Sequence, residues 1–288
     1  MSDSNNKKTK NTPLKLAERN KSVRNKTTAK PASKDNTSGK SVMMLTAILA
    51  VIFSTVLICT LFTVDKLPAE ETTAPVETTE SGPDLSLLPE GIVNLYNKNP
   101  EARDYVLSFA QEHDKEHKID LKPYLESEEV PLFLQWDKSW GYLKYAGDYV
   151  ALSGCGPTCL SMVAFHLKRD TKYSVKYMIE FATKKGYSEN GGGSPWVLIS
   201  EGAKKLGFKV EEVPLVEAKI KEHLDNGKPI ICNVGPGDFT TIGHYIVFRK
   251  YDNGNIYVND PNSANNSSKA WSYNRIKDQI RNMWAISL

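Results

Sequence analysis

The sequence predicts an α+β fold, and three observations carry that prediction. Helix-period segments with capping residues occupy the middle of the chain, from about residue 91 to 206. Short runs rich in β-branched and aromatic residues follow, from about 208 to the end. Two of those runs flank Asn253-Gly254, the signal of a tight antiparallel hairpin. Helices first and antiparallel strands later describe segregated layers rather than alternating βα units.

Ahead of that domain lie segments of different character. Residues 1–41 hold 11 Lys/Arg against 3 Asp/Glu, a local charge of +8, which leaves −5 for the rest of a 288-residue chain whose total is +3. Rich in Lys, Asn, Ser and Thr, this stretch is too polar to bury a core and reads as a disordered basic tail. It has no aromatic residue to stack on bases, so a nucleic-acid partner is not expected. Between Lys40 and Asp65 runs an uncharged stretch of 24 residues dominated by Leu, Ile, Val, Met and Phe. At ~1.5 Å per residue it is long enough for a bilayer core of ~30 Å, and too long for the apolar part of a cleaved signal. Residues 42–64 are therefore expected to form a single transmembrane signal-anchor helix. The basic flank precedes it and acidic residues follow, so the N-terminus is expected in the cytoplasm and the C-terminal domain outside the cell membrane. Residues 65–88, with Pro68, Pro75, Pro83 and several Thr and Glu, read as an extended linker.

Residues 89–127 read as a helical lead-in, with an amphipathic pattern from Gly91 to about Lys118 and Asn99-Pro100 as an internal cap. His113 and His117 stand four apart within it. Lysines flank them and no ligand pattern surrounds them, so a solvated helix face is expected and no metal is implied. From 128 to 288 the main domain follows. It reads as a short strand at Val130–Leu134, a buried helix at Gly156–Leu167, and helices at 172–185 and 195–206, the last with Ser194 as cap and Pro195 at its first position. Strands are expected near 208–213, 229–234, 244–251, 256–259 and 283–287, with helices near 216–225 and 273–281. Gly191-Gly192-Gly193 lacks the ending of a phosphate loop and reads as a loop at the rim of an active site.

Chemistry concentrates at Ser153-Gly154-Cys155-Gly156-Pro157-Thr158-Cys159. A cysteine at a helix start meets unpaired N–H groups and the positive end of the helix dipole, which favour thiolate over thiol. The same N–H groups can hold an oxyanion. Gly154 and Gly156 are expected to leave the sulfur uncrowded. Cys159, a turn later beside Leu160 and Val163, reads as a small core residue, and Cys232 as an inert strand residue. With Cys59 in the apolar run, an odd number of cysteines remains in the exported part, so at least one thiol stays unpaired within the chain.

An imidazole partner is offered by His244, which follows Gly243 and opens the run Tyr245-Ile246-Val247-Phe248. Folding about Asn253-Gly254 returns Asp260 to the same hairpin end. Parity then decides whether the two meet. A strict two-residue loop pairs Asp260 with Val247, on the face opposite His244, whereas a three-residue loop or a bulge restores a common face.

The set Val130-Pro131-Leu132-Phe133-Leu134-Gln135-Trp136-Asp137, Ser153 to Thr158, Gly243-His244-Tyr245-Ile246-Val247 and Val258-Asn259-Asp260-Pro261 resembles the cysteine peptidase family thirty-nine-like domains. These are relatives of the bacteriocin-processing double-glycine peptidases in the papain-like superfamily. The resemblance covers about residues 128–288. It implies a papain-like fold, Cys155 as nucleophile, His244 as general base and acid, Asp260 as orienter of the imidazole and Gln135 as oxyanion donor. Gln135 precedes Cys155 by 20 residues, so residues 137–152 must loop out between them. The expected chemistry is hydrolysis of a peptide or protein substrate through a thioester, with no cofactor or metal. Two other readings share the same residues: a cell-wall peptide hydrolase or transpeptidase, and a catalytically silent peptide-binding module.

Overall fold

The computed structural model describes residues 83–288. The basic tail, the apolar run at 42–64 and the linker as far as residue 82 lie outside the described residues. Among the described residues no helix is long and apolar enough to cross a membrane.

The lead-in forms two helices, α1 (Glu90–Lys98) and α2 (Arg103–Glu112), joined by a 3-10 turn at Pro100–Ala102. Asn99 caps that turn, its side-chain oxygen accepting the Glu101 N–H at 3.0 Å. The helical stretch ends at Glu112, six residues before the expected limit, and His117 leaves the helix altogether. Both histidines are half-buried rather than solvated. His113 stacks on Phe109 with ring centroids 4.7 Å apart, and its Nδ1 lies 2.9 Å from the Phe109 carbonyl. His117 Nε2 lies 2.9 Å from the Glu112 carbonyl.

After a 3-10 turn at Lys122–Glu126, residues 130–134 form no regular element and join no ladder, contrary to the strand expected there. Pro131 supplies no N–H, and the segment is held by a side chain instead: Asn259 Nδ2 donates to the Val130 and Pro131 carbonyls, each at 2.9 Å. A small hairpin, β1 (Lys144–Tyr145) and β2 (Asp148–Tyr149), then leads through the short α3 (Val150–Ser153) into α4 (Cys155–Lys168). Ser174 caps α5 (Val175–Lys184), accepting the Tyr177 N–H. The helix expected at 195–206 is shorter and wider: five residues of π-helix at Leu198–Gly202 run into α6 (Ala203–Lys205). Ser194 does not cap it, because its hydroxyl is held 2.6 Å from the Tyr145 hydroxyl.

The remaining elements are β3 (Lys209–Glu212), α7 (Glu217–Asp225), β4 (Ile230–Val234), β5 (His244–Asp252), β6 (Asn255–Asn259), α8 (Ala264–Ser267), β7 (Ala270–Ser272), α9 (Tyr273–Ile276) and β8 (Ile280–Ser287). The main sheet runs β3-β8-β4-β5-β6-β7, and every neighbouring pair is antiparallel. With its helices segregated from that sheet, the domain is α+β as the order of elements predicts.

Alternation along β4 assigns two cores to the two faces of the sheet. Ile231 joins Leu160, Val163 and Phe165 of α4, together with Tyr245, Val247 and Trp284. Ile230, Cys232 and Val234 join Ile220 and Leu224 of α7 with Ile246, Phe248 and Met283. A third cluster unites the lead-in with the stretch that loops out between Gln135 and Cys155. Ile92, Leu95, Tyr105, Val106 and Phe109 pack on Tyr142 and Ala151, with Trp136, Tyr149 and Leu152 at its margin. Tyr105 stacks on Tyr142 at 4.5 Å, and its hydroxyl donates to the Gly141 carbonyl at 3.0 Å. The long separation of Gln135 from Cys155 is thereby explained, because the intervening residues build the seat on which α1 and α2 rest.

Candidate active site

Cys155 is the first residue of α4, with Gly154 before it and Pro157 two positions later in the same turn. A proline there costs nothing, since the first-turn N–H groups have no intrahelical acceptor. Both glycines also have a packing role that the sequence reading did not foresee. A Cβ on Gly156 would stand 2.6 Å from Ser194 Oγ, and one on Gly154 would stand 2.6 Å from the Val150 carbonyl, so both are demanded by close packing.

The hairpin resolves the parity question. Its loop is two residues, with Asp252 paired to Asn255 and both Asn253 (φ 47) and Gly254 (φ 82) left-handed. The register then slips between Phe248 and Lys250, where Arg249 is the extra residue, so that Phe248 faces Val258 and Val247 faces Asn259. Continued by one residue, that register sets Asp260 opposite Ile246, on the face that His244 shares. His244 Nε2 lies 2.8 Å from Asp260 Oδ1, with both side chains buried. With Nε2 engaged, Nδ1 is the ring nitrogen left for the thiol.

Asp260 is fully buried, and its carboxylate is saturated with donors. Beyond His244, its Oδ1 accepts the Asn262 N–H at 2.9 Å and its Oδ2 accepts Asn266 Nδ2 at 2.9 Å. The Asp260 N–H donates to Ser267 Oγ at 2.8 Å. Reading the sequence missed Asn262, Asn266 and Ser267; the available signal was the run of Asn and Ser after Pro261, whose side chains form local turns.

Gln135 directly follows the segment 130–134. Its backbone N–H donates to the Pro261 carbonyl at 2.7 Å, tying it to the loop of Asp260, and its Nε2 donates to the Ala151 carbonyl at 2.7 Å. The second hydrogen on Nε2 remains for another acceptor, and Oε1 is buried without a hydrogen-bond partner.

Electrostatics divide the three described cysteines, all of them unpaired. Burial opposes a thiolate at Cys155. The hydrogen bond and positive charge of His244, with the N–H groups of Tyr245 and Gly156, outweigh it and hold the thiol below its ordinary value. Burial likewise opposes a charged His244 ring, but the charge and hydrogen bond of Asp260, joined by Cys155, push its pKa up to about 10. Burial drives the Cys159 and Cys232 thiols well up instead. Both are fully enclosed, whereas Cys155 is only partly buried.

Two depressions meet at Cys155 and His244. One, of about 480 Å³, runs between α1 and residues 237–243 and has Gln135 in its wall. The other, of about 410 Å³, is bounded by Gly191, Gly192, Gly193 and Asn233, so the glycine run does stand at the rim of the site. Leu152 and Ile242 border both. Together they form one groove with the sulfur at its middle.

Residues 127–287 match the sequence family described as the Peptidase_C39 like family. The chain belongs to that family. Membership accords with the resemblance read from the four motifs and points to cysteine peptidase activity. No curated protein matches the chain. Among solved structures it is similar to the peptidase domain of Streptococcus ComA, a bi-functional ABC transporter involved in quorum sensing, at 24% identity and a TM-score of 0.39, over 55% of this chain and 98% of that one. It is also similar to a Bacillus anthracis protein described as a C39-like peptidase, at 14% identity and a TM-score of 0.37, over 56% of this chain and 96% of the other.

Proposed function

We propose that this C39-like protein is a membrane-anchored cysteine peptidase that hydrolyses peptide bonds on the outer side of the cell membrane. One observation carries the catalytic part: a partly buried thiol at a helix start, in a groove, beside an imidazole whose far nitrogen is 2.8 Å from a buried carboxylate. The thiolate of Cys155 attacks the substrate carbonyl carbon, and the electron pair moves to the carbonyl oxygen. First-turn N–H groups and the free hydrogen of Gln135 Nε2 are the donors for that oxyanion. As the tetrahedral intermediate collapses, His244 Nδ1 gives its proton to the departing amine, leaving a thioester on Cys155. A water then attacks the thioester with His244 as base, releasing the new carboxyl product and restoring the thiol. Asp260 keeps the ring oriented and stabilises its protonated form.

Anchoring and orientation rest on the apolar run at 42–64 and the basic tail before it. A fluorogenic peptide library on the full-length chain tests the activity. Cys155→Ala should abolish cleavage while the thermal transition persists, and undiminished turnover in that variant would refute the assignment.

A further inference from the structure

Helix α1 lies outside the matched residues 127–287, yet it forms one wall of the groove. Its groove side carries Asn94 and, at its last turn, Lys98. Among the described residues Lys98 has no ion-pair partner, and its side chain is exposed. The opposing wall contributes one carboxylate, Asp238, but that charge is already met. Arg275 Nε and Nη2 reach its two oxygens at 3.0 and 2.7 Å, and Gln279 Nε2 donates to it at 2.7 Å. Lys98 is therefore the unpaired cation of this half of the groove, since His244 is paired with Asp260. Asp148, in the wall of the second depression, lies against the first turn of α1, its Oδ2 3.8 Å from where a Cβ on Gly91 would stand, at the opposite end of the helix from Lys98.

The position of Lys98 is held, because the chain immediately after it is tied to the loop of Asp260. Asn99 Nδ2 donates to the Asn262 carbonyl at 2.8 Å. Glu101 accepts from the Ser263 hydroxyl and, at 3.0 Å, from the Asn265 N–H. The helix end is thus fixed against the catalytic loop rather than merely lying near it.

On the peptidase reading above, we propose that Lys98 selects substrates carrying an acidic side chain on the one side of the scissile bond that lies against α1. A carboxylate there meets an unpaired ammonium in a partly enclosed groove, and Lys98 lines only the depression on that side. The preference is consequently positional and not a general attraction to acidic peptides. An ion pair of this exposure corresponds to roughly a two- to fivefold preference, weakened by salt.

The test is a binding measurement, so that it does not depend on turnover. Full-length protein with Cys155→Ala is titrated with fluorescent peptides in which Gln is replaced by Glu, then by Lys, at one position at a time. Glu should bind more tightly than Gln at positions on one side only, and the ratio should collapse toward unity in high salt. Adding Lys98→Glu should invert the order there to Lys over Gln over Glu, while ratios on the other side stay unchanged. A Glu/Gln ratio that the Lys98→Glu substitution leaves unchanged, equal ratios on both sides, or no peptide binding at all would each overturn the proposal. The separate failure of the peptidase reading would appear as peptides that bind with this pattern but are never cleaved by the protein with Cys155 intact.

Discussion

Nε2 of His244 and Oδ1 of Asp260 are 2.8 Å apart, on buried side chains 16 residues apart in the chain. Such a pair stabilises the imidazolium, and the imidazolium in turn stabilises the Cys155 thiolate. The active ion pair exists between the depressed pKa of the thiol and the raised pKa of the ring. Turnover against pH should therefore rise below the ordinary thiol value of ~8.5 and fall near 10, as the ring loses its proton. Asp260→Asn removes the charge that holds the proton, so the ring pKa drops and the alkaline limb moves to lower pH. An alkaline limb unmoved in that variant would contradict the assigned role.

Thiol reactivity separates the cysteines. At mildly acidic pH, iodoacetamide should modify Cys155 first, because its thiolate alone is favoured, while Cys159 and Cys232 stay unmodified until the protein unfolds. Cys159→Ala should lower stability by about 1 kcal/mol from lost packing and leave most activity in place. Peptide mapping of the labelled protein and a denaturant titration read these two outcomes; equal labelling of Cys155 and Cys159 would count against catalysis at Cys155.

Gln135 is tested by its effect on turnover. Losing an oxyanion donor lowers kcat by roughly 10²–10³-fold with little change in KM, and Gln135→Ala should behave in that way. Gln135→Glu should be at least as poor, since a carboxylate would face the developing oxyanion. If Gln135→Ala retained wild-type kcat, the side chain would be a structural link to Ala151 and nothing more.

The lead-in is expected to matter for chemistry as well as for stability. Glu101→Ala deletes the acceptor of Ser263 and Asn265, at a cost of about 1–2 kcal/mol in unfolding free energy. By loosening the loop that holds Asp260, it should also bring the alkaline limb of the pH profile down, a change that packing loss alone would not cause. Phe109→Ala, which empties the centre of the lead-in cluster, should cost about 3–5 kcal/mol in the same titration.

The proposed anchoring and orientation are tested on intact cells. External protease should remove the C-terminal domain and leave the tail before Ser41 protected, the outcome expected for a flank of charge +8. Protection of the domain with loss of the tail would reverse the assignment.

How much was legible in the sequence follows from how local each feature is. The thiolate at a helix start is written in Cys155-Gly156-Pro157, the turn in Asn253-Gly254 and the α+β order in the succession of periodic segments, because each depends on neighbours a few positions away. The four motifs in order also sufficed for the family. Ser194 illustrates the limit, since a good capping residue before Pro195 was drawn away by the Tyr145 hydroxyl, which approaches from another element. Likewise the meeting of His244 and Asp260 turned on one extra residue at Arg249, and a bulge is decided by how a whole ladder fits the layers packed on it. The seat that Tyr142 and Ala151 provide for α1 and α2 was equally invisible, because it joins segments far apart in the chain. Composition, charge and local capping were determined by the sequence itself. Only tertiary packing decided which distant side chains share a face, since that depends on contacts no local pattern records.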